Sequence, residues 1–144
     1  MKLVVDNSVV MRWLFKDGSD LDRLYATRVA QLVETSEVFV PALFIAEAAN
    51  VISKALKVEV ISRVHAQTFF ELINHMQAQV VPPTQGTQEV MFFTLRACEL
   101  DLSAYDATYL LLAEHLSCPL ATLDKDLRKA AKKHGVAIAA LDQE

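Results

Sequence analysis

Short apolar β runs alternate with long helical stretches along the whole 144-residue chain, and this alternation constrains the fold more than any other feature. Runs at 2–5, 37–40, 78–81, 119–122 and 136–138 read as strands, bounded by acids, prolines or glycine. Between them, apolar periodicity predicts helices at about 9–15, 20–35, 41–56, 61–76, 87–99, 103–115 and 124–134. Asn7 or Ser8 is placed to cap the first helix, Pro41 to occupy the first position of the third, and Gly135 to end the last. Strands joined through helices form a parallel sheet covered on both faces, hence an α/β fold. No repeat, low-complexity segment or linker interrupts the pattern, so residues 1–144 read as a single domain.

A chain of this length buries a proper core without staples. With 53% hydrophobic residues and a mean hydropathy of +0.25, its helices are expected to be covered on more than one side or to meet a partner. The faces Leu21, Leu24, Tyr25, Val29, Leu32 and Val64, Phe69, Phe70, Leu72, Ile73, Met76 are the candidates for such an interface. No apolar run reaches the length of a membrane span, and Asp6 cuts the opening run too early for a signal peptide. Cys98 and Cys118 lack metal-site spacing and read as reduced core thiols, which points to the cytoplasm. A net charge of −4 argues against nucleic-acid binding through bulk electrostatics.

Four acids stand out by position: Asp6 ends the first strand, Glu47 sits mid-helix, Asp106 lies in a first helical turn and Asp124 follows the fourth strand. Each has an ordinary explanation. Asp6 can be a turn former, Asp106 the acid of a capping box opened by Ser103, and Asp124 an N-cap. Glu47 shares the one polar stripe of its helix with Asn50 and Lys54, where a contact within the helix would suffice. Taken jointly these explanations weaken, because strand ends and helix starts converge on one edge of a parallel sheet. Carboxylates about 5 Å apart repel by roughly 3 kcal/mol per pair at an effective dielectric of about 20. A clustered quartet therefore calls for shared protons or a divalent cation, and all-oxygen donors favour Mg²⁺ or Mn²⁺. Carboxylate-bound Mg²⁺ is suited to in-line attack on a phosphodiester.

Asp6-Asn7-Ser8, Pro41 to Glu47-Ala48-Ala49-Asn50, Ser103-Ala104-Tyr105-Asp106-Ala107 with Tyr109-Leu110-Leu111-Leu112-Ala113, and Thr122-Leu123-Asp124 with Leu127 together resemble the PIN-domain family. The likeness is greatest to the VapC-type toxin ribonucleases of toxin–antitoxin pairs, and it runs the length of the chain. It implies a three-layer α/β/α sandwich with a mostly parallel sheet of about five strands. It also implies Mg²⁺- or Mn²⁺-dependent endonucleolytic cleavage of RNA, a homodimer and neutralisation by an antitoxin. The family's acidic quartet falls on Asp6, Glu47, Asp106 and Asp124 as metal-binding and catalytic groups. Its supporting polar residues fall on Ser8, Asn50 and Thr122. Asp101 or Asp126 is a candidate for an additional acid.

Arg12, Lys125 and Arg128 are candidates to receive a phosphate backbone, within a basic rim that includes Lys16, Lys129, Lys132 and Lys133. Lys132 and Lys133 are equally explained as cations favoured at a helix C-terminus. Haloacid-dehalogenase and receiver-domain readings fail, since position 8 is Ser and Pro82-Pro83 ends the third strand. Gly18, Gly86 and Gly135 are isolated, so neither glycine fingerprint for nucleotides is present. The remaining rival is a non-catalytic module of the same fold that only binds an antitoxin-like partner.

Overall fold

The computed structural model describes residues 1–83 and 86–141. Its centre is β1 (Lys2–Val5), whose Leu3, Val4 and Val5 are inaccessible to solvent. Burying each such side chain is worth roughly 1.5–3 kcal/mol. Around β1 the chain lays down α1 (Asn7–Leu14), α2 (Asp20–Val33), β2 (Glu37–Pro41), α3 (Leu43–Lys57), α4 (Arg63–Met76) and β3 (Gln79–Val81). A 3₁₀ turn at Gly86–Gln88 leads into α5 (Glu89–Leu100), followed by α6 (Ala104–Leu116), β4 (Leu120–Ala121) and α7 (Lys125–Lys133). All pairings are parallel, in the order β3-β2-β1-β4, and helices flank the sheet. α6 packs against β1, β2 and β4 and supplies the fully buried Tyr109 and Leu110.

This order determines where a site can form. From β1 the chain builds outward through β2 and β3, then returns to place β4 on the opposite side of β1. The order in which strands are added therefore reverses between β1 and β4, and the crevice at the carboxyl ends of those strands is where α/β folds bind ligands. Val5 pairs with Ala121, so the next residues, Asp6 and Thr122, meet at that crevice. A 2.9 Å bond from the Asp6 backbone N–H to the Ala121 carbonyl closes the ladder.

Among the described residues the sheet has four strands rather than about five. The fifth reduces to one bridge, Leu120 with Ile138, because β4 is two residues long and offers little more to pair with. Pro41 closes β2 instead of opening α3. Val81 accepts its hydrogen bond from Ala42 N–H (3.0 Å), so the N–H that proline lacks is not needed. α1 begins two residues earlier than expected, with Asp6 in the N-cap position and no side-chain cap; Asn7 and Ser8 turn to other partners. Cys118 is buried but Cys98 is exposed, since α5 buries only Ala97 and Leu100.

Candidate active site

Asp6 is 7% exposed, and one of its oxygens takes every side-chain bond it receives. The hydroxyls of Ser8 and Thr122 each donate to Oδ2 at 2.8 Å. Each hydroxyl has one proton, now committed, so their 3.3 Å mutual approach adds no further bond. Both oxygens in turn accept backbone N–H bonds, Ser8 from Leu123 (3.0 Å) and Thr122 from Asp124 (3.1 Å). Two parallel relays thus run from backbone to hydroxyl to Asp6, each bond polarising the next. Asp124 caps α7 by accepting Leu127 N–H on Oδ1 at 2.9 Å. Among the described residues, neither Asp6 Oδ1 nor Asp124 Oδ2 has a hydrogen-bond partner.

Glu47, on α3, is held the same way from the other side. Tyr109 O–H donates to Oε1 at 2.6 Å, and Asn7 Nδ2 approaches the same oxygen at 3.4 Å. The Asn7 amide also donates to the Phe44 carbonyl and to Tyr109 Oη, both at 3.2 Å, which ties the starts of α1 and α3 to α6. Burial and the Glu47 carboxylate both push the Tyr109 phenol up, so it remains a neutral donor. Asp106 stands one turn before Tyr109 on α6, with its backbone N–H capped by Ser103 Oγ at 3.0 Å.

The electrostatics show that the four acids share one field. Burial, then Asp124, Asp6 and Glu47, push Asp106 up to about 6. Asp6 is also raised, by burial first, with Glu47 and Asp124 adding to it and the Thr122 and Ser8 hydroxyls opposing. These are the signs of negative charge gathered at a partly buried place.

A protein-family model for the PIN domain matches residues 3–133. The chain belongs to the PIN domain family. PIN domains are generally nucleases, and PIN nucleases generally use divalent metal ions. Among solved structures, the fold is similar to PAE2754 from Pyrobaculum aerophilum, with a TM-score of 0.66 at 20% identity over 95% of this chain and 82% of that one. No curated protein matches the sequence at a significant level.

In this PIN domain the acids feel one another's charge but do not close on one another. Among the described residues, no group of three or more acid, histidine or cysteine side chains forms a ligand cage. The hydrogen bonds explain the spread: Asp6 is drawn toward Ser8 and Thr122, and Glu47 toward Tyr109 and Asn7. The donor set still fits a hydrated Mg²⁺ or Mn²⁺. Such ions take one or two carboxylates and keep several waters, and Asp6, Glu47 and Asp124 each present one untied oxygen. The buried Asn7 Oδ1 also lacks a partner.

The other candidates scatter. Asn50 is exposed, and its side chain joins none of the bonds around Glu47. Arg12 pairs with Asp17, while Lys125, Asp101 and Asp126 are exposed. Arg128 turns inward: its Nε donates to the Thr122 carbonyl at 2.7 Å and its guanidinium stacks on Tyr25 at 4.5 Å. It serves the Asp6 side of the crevice rather than a solvent-facing rim. Tyr109 and Asn7 stand in the motifs but were given no role in the site from sequence. The available signal was a tyrosine in place of a phenylalanine in the apolar run after Asp106, since a buried hydroxyl needs a partner.

Proposed function

We propose that this PIN domain is a Mg²⁺- or Mn²⁺-dependent endoribonuclease that cleaves RNA phosphodiester bonds. We read it further as the toxin of a toxin–antitoxin pair, a cytoplasmic homodimer silenced by a cognate antitoxin. The observation that carries the nuclease reading is the shared field of Asp6, Glu47, Asp106 and Asp124, delivered by separate elements to the carboxyl edge of the sheet. Asp6, Asp106 and Asp124 would hold one or two cations, which when bound neutralise the carboxylates and the charge that develops on the phosphate. Glu47 orients the attacking water and accepts its proton while the water oxygen bonds to phosphorus and the leaving oxygen departs in line. Ser8 and Thr122 fix the Asp6 carboxylate in place. Among the described residues, no helix is long and apolar enough to cross a membrane.

The toxin reading rests on the motif resemblance, and apolar surface left on α5 supports a protein partner. The direct test is cleavage of total RNA with Mn²⁺, with Mg²⁺ and with chelator, for the wild type and for Asp6→Asn. Cleavage is expected only with metal and only in the wild type, with both proteins melting cooperatively. A folded Asp6→Asn that cuts at the wild-type rate would overturn the assignment. Absence of both cleavage and Mn²⁺ binding in the wild type would leave the partner-binding module instead.

A further inference from the structure

We infer that Tyr109, assisted by Asn7, is a positioning residue that ties one oxygen of Glu47 and thereby aims the other at the attacking water; this rests on the nuclease reading above. Tyr109 is completely buried, and a phenylalanine would fill its place in the core equally well. What the tyrosine adds is one hydroxyl, whose proton goes to Glu47 Oε1 at 2.6 Å and whose oxygen accepts from Asn7 Nδ2 at 3.2 Å. Asn7 Nδ2, its two protons shared among three acceptors, lies 3.4 Å from the same Oε1, so both protein donors face one carboxylate oxygen. No bond among the described residues engages Oε2. A glutamate has three side-chain torsions, and fixing one oxygen from a rigid, buried phenol removes most of that freedom before substrate arrives.

The placement of these residues couples the two halves of the crevice. Asp106 and Tyr109 lie three apart on α6, so one helical turn presents a carboxylate to the crevice and a hydroxyl to Glu47. Asp6 and Asn7 are adjacent in the chain, the first bound to Ser8 and Thr122, the second to Glu47 and Tyr109. Moving either helix would misplace groups on both sides together.

A double-mutant cycle separates positioning from mere core packing. Tyr109→Phe, Glu47→Gln and the double variant are compared with the wild type in single-turnover RNA cleavage and in urea unfolding. Tyr109→Phe is expected to lower the cleavage rate about 10- to 100-fold with little change in KM for RNA. In the Glu47→Gln background the same substitution should cost no further activity. Unfolding should show matching coupling between the two positions, which checks the contact without relying on catalysis. Should Tyr109→Phe not fold, Asn7→Ala removes the second donor to the same oxygen and carries the test. Wild-type cleavage by Tyr109→Phe, or independent effects of the two substitutions, would overturn the inference. A wild type that folds and shows the unfolding coupling but never cuts RNA would instead overturn the nuclease reading.

Discussion

Thr122 does three things with two oxygens. Its hydroxyl donates to Asp6, accepts from the Asp124 N–H, and its carbonyl accepts from Arg128. With no exposed surface, none of these groups can fall back on water. Thr122→Val keeps the shape and removes the hydroxyl, and is expected to cost about 1–3 kcal/mol at neutral pH by leaving buried partners unsatisfied. Thr122→Ser should recover most of that. Urea unfolding of the three proteins measures it, and a loss of under about 0.5 kcal/mol for the valine variant would mean the hydroxyl is idle. At this scale the sequence was informative where backbone position marks a side chain: Asp6, Asp106 and Asp124 stand at strand ends or in first turns. It was silent about Tyr109 and misleading about Arg128, because burial and direction depend on what packs opposite, which no local pattern contains.

Among the described elements, α5 leaves the most large apolar side chains exposed. It packs on α6 through a narrow face, and Val90, Met91, Phe92 and Leu95 are at least half exposed. The faces expected on α2 and α4 divide instead. Tyr25, Val29, Phe69 and Met76 go into the core, while Leu21, Leu24, Val64, Phe70 and Leu72 remain exposed. Exposed apolar clusters of this kind mark interfaces more often than they persist in water. If the proposed dimer uses α5, Met91→Glu with Leu95→Glu should yield a monomer in light scattering, with no loss of melting temperature. An unchanged oligomer would put the interface elsewhere. Helix existence was legible from periodicity alone, since apolar residues recur at helical spacing whether they face a core or a second chain. Which of those two they face is a tertiary fact.

For the whole molecule, the acids set a dependence on pH and metal. Free carboxyls ionise near about 3.9, whereas Asp106 holds its proton to about 6 and Asp6 is shifted in the same direction. Between those values the folded chain binds more protons than the unfolded one. Stability from these groups is therefore full below the unfolded value and is lost as pH rises through about 6. A divalent cation should reverse the trend, since it competes with those protons. At 100 times its Kd a cation that binds only the folded chain adds about 2.7 kcal/mol, or roughly 10 °C in Tm. The expected pattern is a large Mn²⁺ shift at pH 7.5, a small one at pH 5, and none for Asp6→Asn with Asp106→Asn. Melting indifferent to both metal and chelator would count against a shared cation site.

Between the last paired residue of β4, Ala121, and the cap of α7, Asp124, lie only Thr122 and Leu123. The N–H groups of Leu123 and Asp124 are both spoken for by hydroxyls that serve Asp6. One end of this span is pinned by the sheet and the other by a helix, so an inserted residue has no slack in which to loop out. It would withdraw one relay or the other, whatever its side chain. The loop around Gly18 is exposed, and its bonds to Arg12 and Arg23 do not reach the acids. Chain length from Ala121 to Asp124 is thus a requirement in its own right, and relatives of this protein should tolerate substitutions there more readily than insertions or deletions.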